Sequence, residues 1–394
     1  MNRVVYVCTD PGVPVFGRKG ASVHVQAVLR ELVRRGLEVH LVCARTGGQS
    51  PADLAGVAVH LLPPVVGSTT PEREMSAAAS DAAVPALLDR IAAELTVDLV
   101  YERYALWGRS AMEWAAQRGV RSVLEVNAPL VDEQALHREL ADRRAAEDVA
   151  NRALNHATAV ICVSKPVTGW ARQRLIDPRR AHTVPNGVDT ARISPPFRPV
   201  AAAGAEPFTI GFVGTLKPWH GVGTLVDALA LLTRLHAGYR LLLVGDGPEA
   251  TRLSQQVACL GLADHVDATG PVDPGDIPGL LRQMDVAVAP YPAMTGFYFS
   301  PLKVYEYLAA GLPVVATRVG GLPALLQHGR LGALAEPDDP EALAAAIDGL
   351  RVEAARRARI RTAARRAAAD RDWSRVVDRT LAAADAPELT DALR

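Results

Sequence analysis

Short apolar runs of strand length recur along this chain with helical periods between them. That alternation restricts it to folds in which helices cover both faces of a parallel sheet. The first half carries VVYVC, EVHLVCA, VDLVYER, RSVLEVN and TAVICVS, with a helical period over residues 22–35. The second carries FTIGFVG, YRLLLVGD, HVDATG, DVAVAPY and PVVAT. Between the two sets, residues 191–207 hold Pro195, Pro196, Pro199 and an alanine/glycine run, which reads as a linker. A chain of 394 residues exceeds the usual size of one core. The expectation is an α/β chain of two doubly wound domains, residues 1–200 and 201–375, with 376–394 forming a C-terminal helix. That helix would pack back toward the first domain, with Trp373 as its anchor. Ligands of such sheets bind outside the carboxyl ends of the strands, which places the site in a cleft between two facing domains.

The overall charge balance excludes several classes. Forty-three basic and 43 acidic residues give no net charge to steer a nucleic acid. No apolar stretch reaches the length of a membrane span, and the N-terminus lacks a cleavage-site pattern, so a cytoplasmic protein is expected. Residues 350–370 are rich in arginine and alanine, read as a solvated helix, with peripheral contact to an anionic bilayer as the other reading. Cys8, Cys43, Cys162 and Cys259 show no metal spacing and read as buried thiols. Only Lys19, Lys165, Lys217 and Lys303 are lysine; every other basic residue is arginine. Three of the four, Lys19, Lys217 and Lys303, fall in Gly/Pro-rich turns at strand-to-helix junctions, where a compact ammonium suits a phosphate better than a guanidinium fork does.

The densest signal is YFSPLKVYEYLAAGLPVVAT, residues 298–317. Ser300 suits a helix N-cap, Pro301 the first helical position, Gly311 a left-handed C-terminal residue, and Pro313 bars continuation. The amides of Leu302 and its neighbours at this helix start favour an anion, and Lys303 and Glu306, three apart, can flank one ligand. Glu306 as a carboxylate suits two vicinal ribose hydroxyls, with a salt bridge as the competing reading. VGTLKPWHG, residues 213–221, leaves a strand through Gly214 and Thr215 and presents Lys217 and His220 before a helix. Such a junction cradles phosphates, and Lys217 is the first candidate to neutralise a departing diphosphate. VGDGP places Gly245 at another strand end, where Asp246 reads best as a helix cap. Gly270 and Val272 follow a third strand and offer main-chain atoms to a base.

In the first half, FGRKGAS is a glycine-flanked basic loop in which Gly17 and Gly20 permit close approach and Lys19 supplies charge. His24 lies one turn into the next helix, either facing the cleft or packing. Glu102 and Arg103 end one strand, and Glu125 and Asn127 another. Such positions suit hydroxyl recognition, although each is also readable as a strand-end hydrogen bond. Asn127 is a candidate contact to donor sugar or attacking hydroxyl, and Glu125 and Glu102 to an acceptor. Glu133 and His137, one helical turn apart, are candidate substrate contacts but read better as a surface pair.

FGRKGASVH, VICVS, VPNGVD, VGTLKPWHG, LLLVGDGPE, DVAVAPY, SPLKVYEYLAAGLPVVAT and Trp373, taken in order, resemble the GT-B retaining glycosyltransferases of family 4, also called group 1. The resemblance implies two facing Rossmann-like domains, donor in the C-terminal one and acceptor in the N-terminal one. It implies transfer of a sugar from a nucleoside diphosphate, a UDP-sugar as co-substrate, to an acceptor hydroxyl with anomeric retention, and no metal. Glu306 then resembles the ribose-binding second glutamate of the E-x7-E element, Lys217 and His220 fall in the diphosphate segment, and Gly17 lies near the donor phosphate. Tyr298 stands where the first glutamate is expected and Thr215 where an arginine is frequent; Asn127 replaces a common histidine. The arginine/alanine bias resembles a high-GC bacterial genome. The alternatives are a nucleotide-sugar epimerase or sugar-phosphate synthase of the same fold, or a nucleotide-sugar-binding protein without turnover. Products separate the first two, since an epimerase needs no acceptor.

Overall fold

The computed structural model describes residues 3–94, 96–193 and 207–384. Most of the expected linker and the last ten residues of the expected C-terminal helix lie outside them. The chain divides into two compact units. The first comprises Met1–Asn186, Tyr298–Ser300 and Trp373–Arg394, and the second Gly187–Phe297 and Pro301–Asp372.

Among the described residues, the first unit contains strands β1 (Arg3–Cys8), β2 (Glu38–Cys43), β3 (Ala58–Leu61), β4 (Leu99–Arg103), β5 (Arg121–Val126), β6 (Ala159–Cys162) and β7 (Ala181–Thr183). They form one parallel sheet in the order β3-β2-β1-β4-β5-β6-β7. Its helices are α1 (Gly20–Arg34), α2 (Thr70–Asp81), α3 (Val84–Glu94), α4 (Ser110–Arg118), α5 (Leu130–His137), α6 (Arg143–His156) and α7 (Lys165–Arg172). The second unit has β8 (Phe208–Val213), β9 (Tyr239–Val244), β10 (Val266–Gly270), β11 (Val286–Ala289), β12 (Val314–Thr317) and β13 (Gly332–Ala335), again parallel, in the order β10-β9-β8-β11-β12-β13. Its helices are α8 (Val222–Leu235), α9 (Ala250–Cys259), α10 (Ile277–Leu281), α11 (Leu302–Ala309), α12 (Leu322–Leu325), α13 (Pro340–Val352) and α14 (Ala354–Ala369). Helix α15 (Trp373–Ala383) returns to the first unit.

The apolar runs become the central strands because helices on both faces require both faces to be apolar: every residue of β1, β6, β11 and β12 is buried. In both sheets the strand order reverses around the first strand of the unit, β1 or β8, which is where a doubly wound sheet opens a crevice at its carboxyl edge. Strands β3, β7 and β13 are additions to the expected set. They are three or four residues long and lie at or beside sheet edges, so no continuous apolar run announces them.

Several local expectations are corrected. Cys259 is exposed, on the outer side of α9, whereas the other three cysteines are buried. The arginine-rich stretch is not simply solvated. Arg357 is fully buried, lies 5.4 Å from the Phe208 ring and donates to the carbonyls of Leu350 and Arg351, the orphan acceptors at the end of α13. Trp373 opens α15 and stacks edge-on against His24 of α1 at 4.9 Å. Arg35, just after α1, donates to the Ser374 carbonyl and pairs with Asp378.

Candidate functional site

In the second unit the turns after β8, β9 and β10 are stitched to one another. The Gly214 amide donates to the Val244 carbonyl (3.0 Å), the Gly245 amide to Gly270 (3.1 Å) and the Leu216 amide to Asp246 (2.9 Å). This brings Gly214, Gly245 and Gly270 together at one sheet edge. Gly214 (φ 146°) and Gly245 (φ 126°) have backbones that a side chain rarely adopts. A Cβ on Gly245 would stand 2.2 Å from the Gly214 carbonyl, so this edge can be this tight only without side chains. Asp246 does not cap α9: its Oδ1 accepts from the Gly247 amide, and Glu249 holds the cap position. Val272 is half-buried in the loop beyond β10.

Helix α11 enters the same region. It begins one residue later than its sequence indicates. Pro301 takes the N-cap position, and Ser300 does not cap the helix; its hydroxyl instead accepts from the Asn186 amide within the first unit. The C-terminal end follows expectation, with Gly311 left-handed (φ 71°) and the Leu312 amide returning to the Tyr307 carbonyl. Leu302 and Lys303 form the first turn, and Tyr307 accepts from the Val213 amide, tying α11 to the end of β8.

Lys303 dominates the electrostatics here. Its Nζ is shut off from solvent and has no hydrogen-bond partner among the described residues. It lies 4.3 Å from the Phe212 ring centre and 5.3 Å from that of Tyr291, and a Cβ on Gly214 would stand 3.2 Å from it. Burial pushes the ammonium down to about 7, partly opposed by Glu306. Glu306, one turn on, is pushed up to about 7 by burial, against the pull of Arg192 and Lys303. Arg192 approaches it at 3.6 Å and is anchored by donating to the Pro274 carbonyl. The salt bridge weighed for Glu306 is thus present, with a partner that sequence reasoning missed.

His220 completes the group. Its Nδ1 donates to the Thr215 carbonyl at 2.5 Å, which leaves Nε2 as the acceptor, and its ring packs near those of Phe212 and Tyr291. Burial, with Lys303 and Lys217 adding repulsion, drives it down to about 3, so it is neutral. The Thr215 side chain is exposed. Lys217 is half-exposed, with its ammonium 5.5 Å from the Trp219 ring centre.

In the first unit, Glu125 is a hub rather than a free strand-end group. Burial favours its neutral form, but His24 (2.8 Å), Arg103 (4.0 Å) and the Tyr101 hydroxyl (3.0 Å) outweigh that and hold it at about 2. Asn127 donates to its other oxygen at 3.3 Å. His24 therefore packs, 2% exposed, between Glu125 and Trp373. Glu102 does not emerge at the sheet edge: it is fully buried, both oxygens lack partners among the described residues, and burial pushes its carboxyl far up. Both faces of β4 are buried, so Glu102 lies within the unit whichever way it points, while Arg103, the last residue of the strand, stays half-buried. Gly17 turns the loop before α1, its amide donating to Pro14, and Gln26 donates to its carbonyl. Lys19 is exposed at the α1 N-cap.

Tyr298 belongs to the first unit. Its hydroxyl donates to Glu133 at 2.5 Å, and its carbonyl accepts from Ser164. Glu133 is therefore not a surface partner of His137. Among the described residues no group of three or more His, Cys, Asp or Glu side chains is arranged to hold a metal ion, and no helix is long and apolar enough to cross a membrane.

Two family models match the chain: Glycosyltransferase Family 4 over residues 18–192 and Glycosyl transferases group 1 over residues 207–351. A D-inositol 3-phosphate glycosyltransferase of Salinispora tropica is 27% identical over 387 residues, covering 91% of this chain and 79% of that protein. The sucrose-phosphate synthase of Thermosynechococcus elongatus superposes with a TM-score of 0.73 over 97% of this chain and 100% of that one, at 19% identity. Anabaena HepE, solved with UDP and glucose, gives 0.70 over 97% and 100%, at 21% identity. These two likenesses place the fold among GT-B structures.

Proposed function

This chain belongs to the group 1, family 4 glycosyltransferases of GT-B fold, and from that premise we propose that it is a retaining, metal-independent enzyme that moves a sugar from a UDP-sugar to an acceptor hydroxyl. The observation that carries the reading is Lys303, an ammonium with neither solvent nor a hydrogen-bond partner among the described residues, beside Gly214 and one turn from Glu306. A buried cation without a partner costs stability, and a diphosphate would pair with it. In this reading the amides at the start of α11 and the turn at Gly214 receive the diphosphate, Lys303 neutralises it, and Glu306 accepts from the ribose hydroxyls.

The bond between the anomeric carbon and the diphosphate oxygen breaks. The acceptor oxygen bonds to that carbon from the same face, and its proton passes to the departing diphosphate. Lys303 acts where charge develops on the leaving group, and it is better placed for this than the half-exposed Lys217. His220, neutral with Nε2 unprotonated, adds an acceptor or, once an anion raises its basicity, a second donor.

The reading is tested by melting the protein with UDP, GDP, ADP and dTDP, each with magnesium and with EDTA. UDP should raise the melting temperature equally in both, and Lys303→Met should abolish the rise while Lys217→Met only reduces it. No shift with any nucleotide, or a shift needing magnesium, would sink the corresponding part of the proposal. The anomeric configuration of the product by proton NMR tests retention.

A further inference from the structure

The first unit holds a cavity of about 570 Å³, and none of His24, Glu102, Arg103, Glu125 and Asn127 lines it. Its walls come from the carboxyl ends of β1 and β4 and from α2 and α5. Helix α2 is fixed there by a complete capping box, Thr69 accepting from the Glu72 amide while Glu72 accepts from the Thr69 amide. Trp107, with Leu106 and Leu130 beside it, supplies an apolar wall.

Thr9 lines it, 6% exposed, with a hydroxyl that has no partner among the described residues. Glu102 does not line the cavity but lies near Thr9, and both its oxygens lack partners among the described residues; a Cβ on Gly108 would stand 2.7 Å from the Thr9 hydroxyl and 2.9 Å from Glu102 Oε1. A cavity-lining hydroxyl and a buried carboxyl group thus lie near one another, both without partners among the described residues. Buried polar groups left this way call for a ligand or water hydroxyl.

The rim supplies both kinds of hydrogen-bonding capacity. Asp10, Glu133 and Glu139 each commit an oxygen to the protein, to the Gly12 amide, the Tyr298 hydroxyl and the Thr70 hydroxyl respectively, and leave the other to the cavity. The Arg138 guanidinium has no partner among the described residues, and that of Arg73 makes only contacts of 3.3 and 3.4 Å. Glu74 is spent on the amides of Ala141 and Asp142. An uncharged polyol uses all of this, since each hydroxyl both donates to a carboxylate and accepts from a guanidinium, and the ring lies on Trp107. The phosphate group of an ester, largely dianionic at neutral pH, only accepts. It would sit among four carboxylates against two guanidinium groups.

We propose that this cavity is the acceptor site and that it selects a polyhydroxylated ring without phosphate, a cyclitol or sugar, over its phosphorylated counterpart. The proposal rests on the glycosyltransferase reading and separates this chain from the relatives named for an inositol phosphate acceptor.

The test is saturation-transfer NMR on the full chain with myo-inositol, maltose and D-inositol 3-phosphate, with UDP-induced melting shifts on the same sample. The expected result is saturation transfer to at least one uncharged polyol, lost in Trp107→Ala, and binding of the phosphate ester at least 10-fold weaker. The double change Asp10→Asn with Glu139→Gln should narrow that gap, which a merely misfolded variant would not do. This second variant decides the matter if Trp107→Ala fails to fold. Phosphate ester binding as tight as or tighter than its parent overturns the proposal. So does a protein that shifts with UDP yet binds none of the polyols, which leaves the glycosyltransferase reading intact. Absence of both nucleotide and polyol binding overturns the two together.

Discussion

Lys303 is held in a state that folding alone would not choose. Its ammonium faces the Phe212 and Tyr291 rings, with His220, made neutral by burial, packed against the same two rings and Glu306 on its own helix. Cation–π contact offsets part of the lost hydration, but the group is still depressed to about 7. The sign follows from proton counting. Between pH 7 and the unfolded value near 10.5, the unfolded chain carries a proton that the folded chain lacks, so this residue's contribution to stability rises with pH across that window and its cost is complete below it. Lys303→Met should therefore raise the melting temperature at pH 6.5 by roughly 2 to 4 °C and lose that advantage by pH 10. Diphosphate affinity should run the other way, since the neutral amine above pH 7 must first be protonated. UDP binding measured by calorimetry should weaken at least about 10-fold from pH 7 to 9. Lys303→Arg, permanently charged, should flatten that dependence. A flat wild-type profile would show that Lys303 does not hold the diphosphate.

At the scale of elements, the candidate donor site is an interlock of three strand-end turns with one helix start. Gly245 is its tightest point, with a Cβ position 2.2 Å from the Gly214 carbonyl. Gly261, also left-handed (φ 69°), has open space around it and serves as the comparison. Gly261→Ala should cost only its backbone conformation, about 1 kcal/mol. Gly245→Ala adds a main-chain clash and should cost about 2 to 3 kcal/mol more by urea unfolding, with UDP affinity falling as the Gly214 turn is displaced. Equal losses in the two variants would mean that the interlock is not tight. This interlock was half legible in the sequence. Glycines at strand ends marked the turns, and the end of α11 at Gly311 and Pro313 followed from local chemistry. Two things were hidden because they depend on contacts between distant residues. The rings that sheath Lys303 come from two other segments, and Arg192 reaches Glu306 from 114 positions earlier in the chain. Glu102 and Glu125 looked alike as strand-end carboxylates, yet one is buried without a partner and the other sits at the centre of an ion-paired cluster. Strand register and the arrival of α1 decide that difference, and neither is written in the five residues around each.

The molecule as a whole is built from two parallel sheets, and their central strands were readable because burial on both faces leaves an uninterrupted apolar run. The short strands β3, β7 and β13 were not, since a peripheral strand needs neither length nor a full apolar face. The return of the C-terminus was announced only by Trp373. Within the first unit α15 lies on α1, Trp373 against His24, and His24 against Glu125, so a residue near the end of the chain supports the cluster that holds Asn127. The dependence has a measurable form. Removing the indole leaves a cavity beside a buried ion pair, and Trp373→Ala should destabilise the first unit by about 3 to 5 kcal/mol, read as a lowered transition in calorimetry. Trp373→Phe should recover most of it by keeping an aromatic edge on His24. The UDP-dependent melting shift should survive in both variants, because Lys303, Glu306 and the glycine turns all belong to the second unit. A full loss of nucleotide binding in Trp373→Ala would place part of the donor site on the first unit.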